Sequence, residues 1–104
     1  MIADDVGSVA RTLSQEALVE QVVEECGELV QAGAKMLRIF RGENPTNKDP
    51  IDNVFDVEEE LADVLLSIEV LARKMDIWGS LVARRRRKLD RWLLRLKMAR
   101  GDGD

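Results

Sequence analysis

Two carboxylate clusters constrain this 104-residue chain more than any other feature. Glu24-Glu25-Cys26-Gly27-Glu28 and Glu60-Leu61-Ala62-Asp63 each sit beside apolar residues at helical spacing. On a wheel of about 100° per residue, Glu25 and Glu28 fall at the edge of a face carrying Leu18, Val22, Leu29, Gly33, Met36, Leu37 and Phe40. Glu60 and Asp63 flank the face formed by Val57, Leu61, Val64, Leu65, Ile68, Leu71, Ala72 and Met75. Two helices packed antiparallel bring these edges together. From Glu28 to Gly42 the first helix rises about 21 Å, and from Asn53 to Asp63 the second returns about 15 Å. A connecting loop absorbs the difference, so the four carboxylates can share one height.

The rest of the chain fits an all-α fold. Residues 1–11 show no period and read as a loose lead-in. Thr12-Leu13-Ser14-Gln15 has the form of a capping box, with a helix following to about Arg41 and Gly42 as its C-cap residue. Residues 43–52 hold both prolines and several Asn and Asp, which marks a loop. The second helix is expected from Asp52 or Asn53 to about Met75, with Asn53 as its cap. A third is expected from Ser80, as N-cap, to Ala99, with Leu81, Leu89, Trp92, Leu93 and Leu96 on one side. Trp78 and Trp92 recur with these leucines and read as packing residues, and Cys26 as a small packing residue. The expected architecture is one domain over residues 1–104, with its core at about 14–98 and flexible ends at 1–11 and 100–104. It is an antiparallel bundle of three main helices, completed by oligomerisation because one chain cannot close it alone.

Several functions are excluded by what is missing. The chain has no His, which removes most zinc, haem and His-based acid–base chemistry; a metal here must be held by oxygen. The single cysteine builds no intrachain disulfide. No signal peptide is evident and no apolar run approaches the roughly 20 residues of a membrane span. A cytoplasmic protein without a membrane partner is expected. Scarce aromatic and β-branched runs argue against a β-rich fold. The net charge of −4 is unevenly spread: residues 1–77 carry 7 basic and 17 acidic side chains, and residues 78–100 carry 9 basic and 1 acidic. The basic run Arg84-Arg85-Arg86-Arg87-Lys88 lacks interleaved aromatics, so a nucleic-acid partner is disfavoured.

From pattern alone two readings of the acids stay open. They are solvated helix faces, or they converge on a divalent cation that offsets their repulsion. If the first reading holds, the chain is a non-enzymatic helical oligomerisation domain whose basic third helix binds the acidic half of a neighbour.

The paired motif Glu-Glu-x-x-Glu and Glu-x-x-Asp resembles the MazG-like all-α nucleoside triphosphate pyrophosphohydrolases. Glu24 to Asn44 and Glu58 to Leu71 look like that family's two core helices, and Arg87-Lys88-Leu89-Asp90-Arg91 resembles the basic Lys-x-x-Arg of its next helix. The 31 residues between Glu28 and Glu60 exceed the spacing the resemblance leads one to expect. The resemblance implies magnesium, with manganese as an alternative, held by Glu25, Glu28, Glu60 and Asp63. It implies hydrolysis of a nucleoside triphosphate to monophosphate and pyrophosphate, with non-standard nucleotides, deoxynucleotides or phosphoribosyl-ATP as candidate substrates. Glu24 or Glu25 would accept the proton of the attacking water. Lys35 and Arg38 on the first helix, and Lys88 and Arg91 on the third, are the expected phosphate-binding cations. A dimer or tetramer with its site assembled partly across the interface is implied too.

Overall fold

The computed structural model describes residues 4–42 and 48–101. Among them are four helices and no strand: α1 (Asp5–Thr12), α2 (Gln15–Arg41), α3 (Pro50–Lys74) and α4 (Trp78–Ala99). The fold is all-α, with one more helix than the three expected.

The additional helix is α1, where a lead-in without structure was expected. Its eight residues are too few to display an apolar period. Asp4 caps it, accepting a hydrogen bond from the Gly7 amide at 3.0 Å. Gly7 leaves room for this cap, because a Cβ there would push aside the Asp4 carboxylate and the Arg11 guanidinium. Ala10 of α1 packs with Leu18 and Val70 in the small buried core, flanked by Val6 and Leu71. Tertiary contact therefore supplies what so short a helix lacks on its own.

The termini of the longer helices correct other expectations. The Thr12 hydroxyl donates to the Ser8 carbonyl at 2.8 Å and so closes α1. Ser14 caps α2 instead, accepting from the Ala17 amide at 3.1 Å. Gly42 ends α2 in the left-handed region at φ 67°, as its sequence position predicts. Asp49 caps α3, accepting from the Ile51 amide at 2.8 Å, and Pro50 occupies the first turn, where its missing N–H is tolerated. The helix thus starts before Asn53, which is no cap. The expected loop over 43–52 is shortened to residues before Pro50, of which 43–47 lie outside the described residues. Asp76, at φ 56°, turns the chain into α4. That helix begins at Trp78 without a side-chain cap bond, so Ser80 is not its N-cap.

α2 and α3 run antiparallel: Leu18 packs near Val70, and Glu25 lies beside Asp63. The seam of α3 facing α2 is unexpectedly polar. Asn53 and Ser67 are buried and Asp56 and Glu60 half-buried, whereas Leu61 and Leu65 of the expected packing face are exposed. Val30 and Leu65 are each 70% exposed, and Phe40 and Phe55 also face outward. α4 buries none of its residues; Trp92, expected to pack, is exposed, and so is Cys26. The radius of gyration is 18.0 Å, against about 13 Å for a compact domain of this length.

Asn53 is 1% exposed, yet its amide nitrogen and oxygen both lack a hydrogen-bond partner. An orphaned buried amide costs about 1–3 kcal/mol. Asn53→Leu, similar in volume, should therefore raise the unfolding free energy by about 1–3 kcal/mol in denaturant titrations. A fall in stability would show that the amide is satisfied.

Candidate metal centre

Each acidic pair comes from one turn of a helix. Glu25 and Glu28 project from α2, and Glu60 and Asp63 from α3, because residues three apart share a helix face. Antiparallel pairing sets the four opposite one another. One carboxylate oxygen from each lies within 4.8 Å of all the others. Glu25 and Glu60 are half-buried, and Glu28 and Asp63 stand at the surface.

Gln21, one turn before Glu25, donates its side-chain N–H to Glu25 Oε1 at 2.6 Å. The other oxygen, Oε2, is buried without a partner, as is Oε2 of Glu60. No ion pair among the described residues reaches the quartet: Lys48 pairs with Asp56, Arg73 with Asp4 and Glu69, and Arg86 with Asp90. The affinity of Glu25 for a proton is raised above the ordinary carboxylate value. Burial is the main cause, followed by the charges of Glu28 and Asp63; a hydrogen bond with Glu28 adds to it and the Gln21 bond opposes it. Four acids converge here with two buried oxygens unmatched, and no ion pair among the described residues offsets them. An all-oxygen donor set of this kind suits a hard divalent cation, magnesium or manganese.

The quartet separates two clefts. Glu28 and Glu60 line a polar one of about 360 Å³, together with Gln31, Lys35, Asp56 and Glu59. Glu25 and Asp63 line an apolar one of about 240 Å³, walled by Val9, Leu13, Leu18, Leu66 and Val70.

The expected site residues are thus partly assembled. Glu25, Glu28, Glu60 and Asp63 come together, and Lys35 reaches the polar cleft. Glu24 is exposed and stands outside the quartet. Arg38 is half-buried and lines neither cleft. Lys88 and Arg91 lie on α4, where they line a separate cleft of about 210 Å³ with Arg84 and Arg87. No residue of α4 lines either cleft beside the quartet. Trp78 packs where expected, its ring lying 5.9 Å from the Arg73 guanidinium carbon.

Sequence reading passes over five contributors. Gln21 orients Glu25, and its spacing of four residues was the available signal. Asp56, one turn before Glu60, and Glu59, the residue next to it, line the polar cleft. Val9 and Leu13 belong to the α1 region and could not be placed without it.

A family model described as the MazG nucleotide pyrophosphohydrolase domain matches residues 13–85. The match takes in all four carboxylates and most of the chain, and it stops short of Lys88 and Arg91. No curated protein and no solved structure matches the chain significantly.

Glu25 gives the metal-free protein a pH dependence of defined sign. Because its folded proton affinity is raised above the ordinary 4.5, it binds protons more readily folded than unfolded. The stability it contributes is present below pH 4.5 and is lost as the pH rises through its raised value. In EDTA, Glu25→Gln should be the more stable protein at neutral pH, and wild type should close the gap on acidification. Denaturant unfolding of both across this range is the check; a gap independent of pH would contradict the electrostatic crowding.

Proposed function

The chain belongs to the MazG nucleotide pyrophosphohydrolase family, and on that premise we propose that it hydrolyses nucleoside triphosphates to monophosphate and pyrophosphate with a divalent cation. The observation that carries this reading is the convergence of four carboxylates with two buried, unmatched oxygens. Glu25, Glu28, Glu60 and Asp63 would hold the cation, magnesium or manganese. Bound there, it would neutralise the charge that develops on the phosphoryl oxygens.

The protein's own groups do the rest. Water attacks the α-phosphorus, the bond from that phosphorus to the bridging oxygen breaks, and pyrophosphate leaves. The water's proton passes to the carboxylate of Glu25, which Gln21 holds in place at Oε1. Glu24, exposed outside the quartet, is left a peripheral role. Lys35 lines the polar cleft and neutralises part of the polyphosphate charge. The described cysteine is exposed and has no His partner anywhere in the chain, so direct attack by water is simpler than a covalent intermediate.

The assembly is a homo-oligomer in this reading. A chain with outward-facing Val30, Leu65 and Phe55, and with a long helix none of whose residues is fully buried, needs a second copy to cover them. Lys88 and Arg91 then serve a neighbouring copy's site, since α4 lines neither cleft of its own. The acidic α2–α3 pair and the basic α4 are complementary in charge, which favours this pairing.

Hydrolysis in H₂¹⁸O with magnesium should place the label in the nucleoside monophosphate, read by mass spectrometry. Label in pyrophosphate or inorganic phosphate would move the attack away from the α-phosphorus. Glu28→Gln and Asp63→Asn should each lower turnover by at least about a hundredfold, since even loss of an outer-shell partner of a metal ligand costs about 10–100-fold. Circular dichroism should show their helix content unchanged. Full activity in either variant would remove the quartet from the mechanism.

A further inference from the structure

We infer that the cleft where α1 meets the end of α3 and the start of α4 is a second ligand site, suited to a small phosphate ester that also carries hydroxyl groups. It stands apart from the carboxylate quartet and does not depend on the reaction proposed there. At about 500 Å³ it is larger than either cleft beside the quartet, and it falls within the roughly 300–1,000 Å³ of pockets that take small molecules. It shares no lining residue with those two clefts. Along α3, Arg73 of this cleft lies about 15 Å beyond Asp63 of the quartet.

The sequence supplies both the space and the charge. Asp4, Gly7 and Arg11 recur at spacings of three and four, which sets them on one side of α1. Gly7 and Ala10 are small and buried, so α1 leaves room on this side. Arg11 enters the cleft from α1, Arg73 and Lys74 from the last turn of α3, and Trp78 from the first turn of α4. The three cations are poorly matched by partners. Arg73 stands 3.8 Å from Asp4 Oδ2 and 3.5 Å from Glu69 Oε1, both longer than an N–H···O hydrogen bond. Its guanidinium carbon lies 5.9 Å from the Trp78 ring centroid, an attraction that uses charge and leaves donors over. Arg11 makes one long hydrogen bond among the described residues, of 3.4 Å to the Ser8 hydroxyl. Lys74 makes no ion pair among them.

Two carboxylates also line the cleft and narrow what it accepts. Asp4 is engaged through Oδ1 as the cap of α1. Asp76 is held by the turn into α4 at φ 56°, a left-handed backbone that Asp tolerates better than most residues. Its carboxylate accepts no hydrogen bond among the described residues. A bare anion would meet repulsion from Asp76. A phosphate ester of a polyol meets both demands. Its phosphate takes charge-assisted hydrogen bonds from Arg11, Arg73 and Lys74, and its hydroxyls donate to Asp76, as ribose hydroxyls do to a carboxylate in dinucleotide sites. Three cations against two carboxylates leave a surplus of one positive charge, which favours a single phosphate over a polyphosphate.

The two indole N–H resonances of the whole protein, followed in EDTA so that the quartet holds no cation, test the inference without calling on turnover. Trp78 lines this cleft, and Trp92 lines a groove on α4 with Arg84, Arg85 and Lys88. Trp92 therefore reports general attraction of anions to the basic helix, and Trp92→Phe assigns the two signals. AMP and ribose 5-phosphate should each shift the Trp78 signal saturably and leave Trp92 in place. Tighter binding of AMP identifies the ligand as a nucleotide; otherwise it is a sugar phosphate. In the double variant Arg11→Gln/Lys74→Gln, which breaks no ion pair among the described residues, affinity should fall at least about tenfold. Asp76→Asn keeps a residue suited to the left-handed turn. It should bind inorganic phosphate more tightly than wild type does and lose the preference for ribose 5-phosphate over phosphate. A Trp78 signal that does not move, or a joint unsaturated drift of both indoles, would overturn the inference. So would undiminished affinity in the double variant, or a wild-type protein that binds inorganic phosphate as tightly as ribose 5-phosphate.

Discussion

Mutual repulsion among Glu25, Glu28, Glu60 and Asp63 is the constraint on which the rest of the structure turns. Like charges this close destabilise one another, and partial burial of Glu25 and Glu60 removes the water that would screen them. A fold selected for stability alone would separate these side chains, which their helix-edge positions would allow. Instead the α2–α3 register sets them opposite each other. It carries polar residues along the seam, from Asn53 through Asp56 and Glu60 to Ser67. A divalent cation turns this repulsion into attraction. On the proposed reading, its binding therefore stabilises the helix pair as well as serving the reaction.

The polar seam has a second consequence. Because α3 presents its carboxylate edge to α2, some of its largest apolar side chains, such as Leu61, Leu65 and Phe55, point away from the chain's own core. The core that remains is small, centred on Ala10, Leu18 and Val70. The extended shape, the unburied α4 and the outward apolar surface are linked outcomes of one choice of interface. In the proposed assembly a second copy covers that surface, and the division of charge along the sequence sets which parts meet. On the proposed reading the basic α4 of the second copy would supply the cations that a nucleoside triphosphate needs beyond a single metal ion.

The quartet is legible in the sequence because two short spacings, Glu25 to Glu28 and Glu60 to Asp63, each keep a pair on one helix edge. The antiparallel hairpin is legible from its helical periods, and Gly42 from the conformational freedom a C-cap needs. Other features depend on tertiary context. The helix α1 is too short to show a period and is held by Ala10 in the core. Thr12 and Ser14 are equally good caps on paper, and the choice between them follows from Thr12 being used to end α1. A helical wheel identifies an apolar stripe on α3 but not whether it meets its own chain, so Leu65 and Trp92 were expected to pack and do not. The two clefts arise only once both helices and α1 are in place, whereas the Gln21–Glu25 bond is a four-residue spacing within α2.

The central claim is that the four carboxylates hold a divalent cation. Titrating the whole protein with Mn²⁺, and following the free-ion electron paramagnetic resonance signal, tests it most directly. The account predicts that the signal is quenched as the ion binds, that magnesium restores it by competition, and that Glu28→Gln greatly weakens the quenching. A Mn²⁺ signal that the wild-type protein leaves unchanged, or quenching that survives the substitution undiminished, would contradict it.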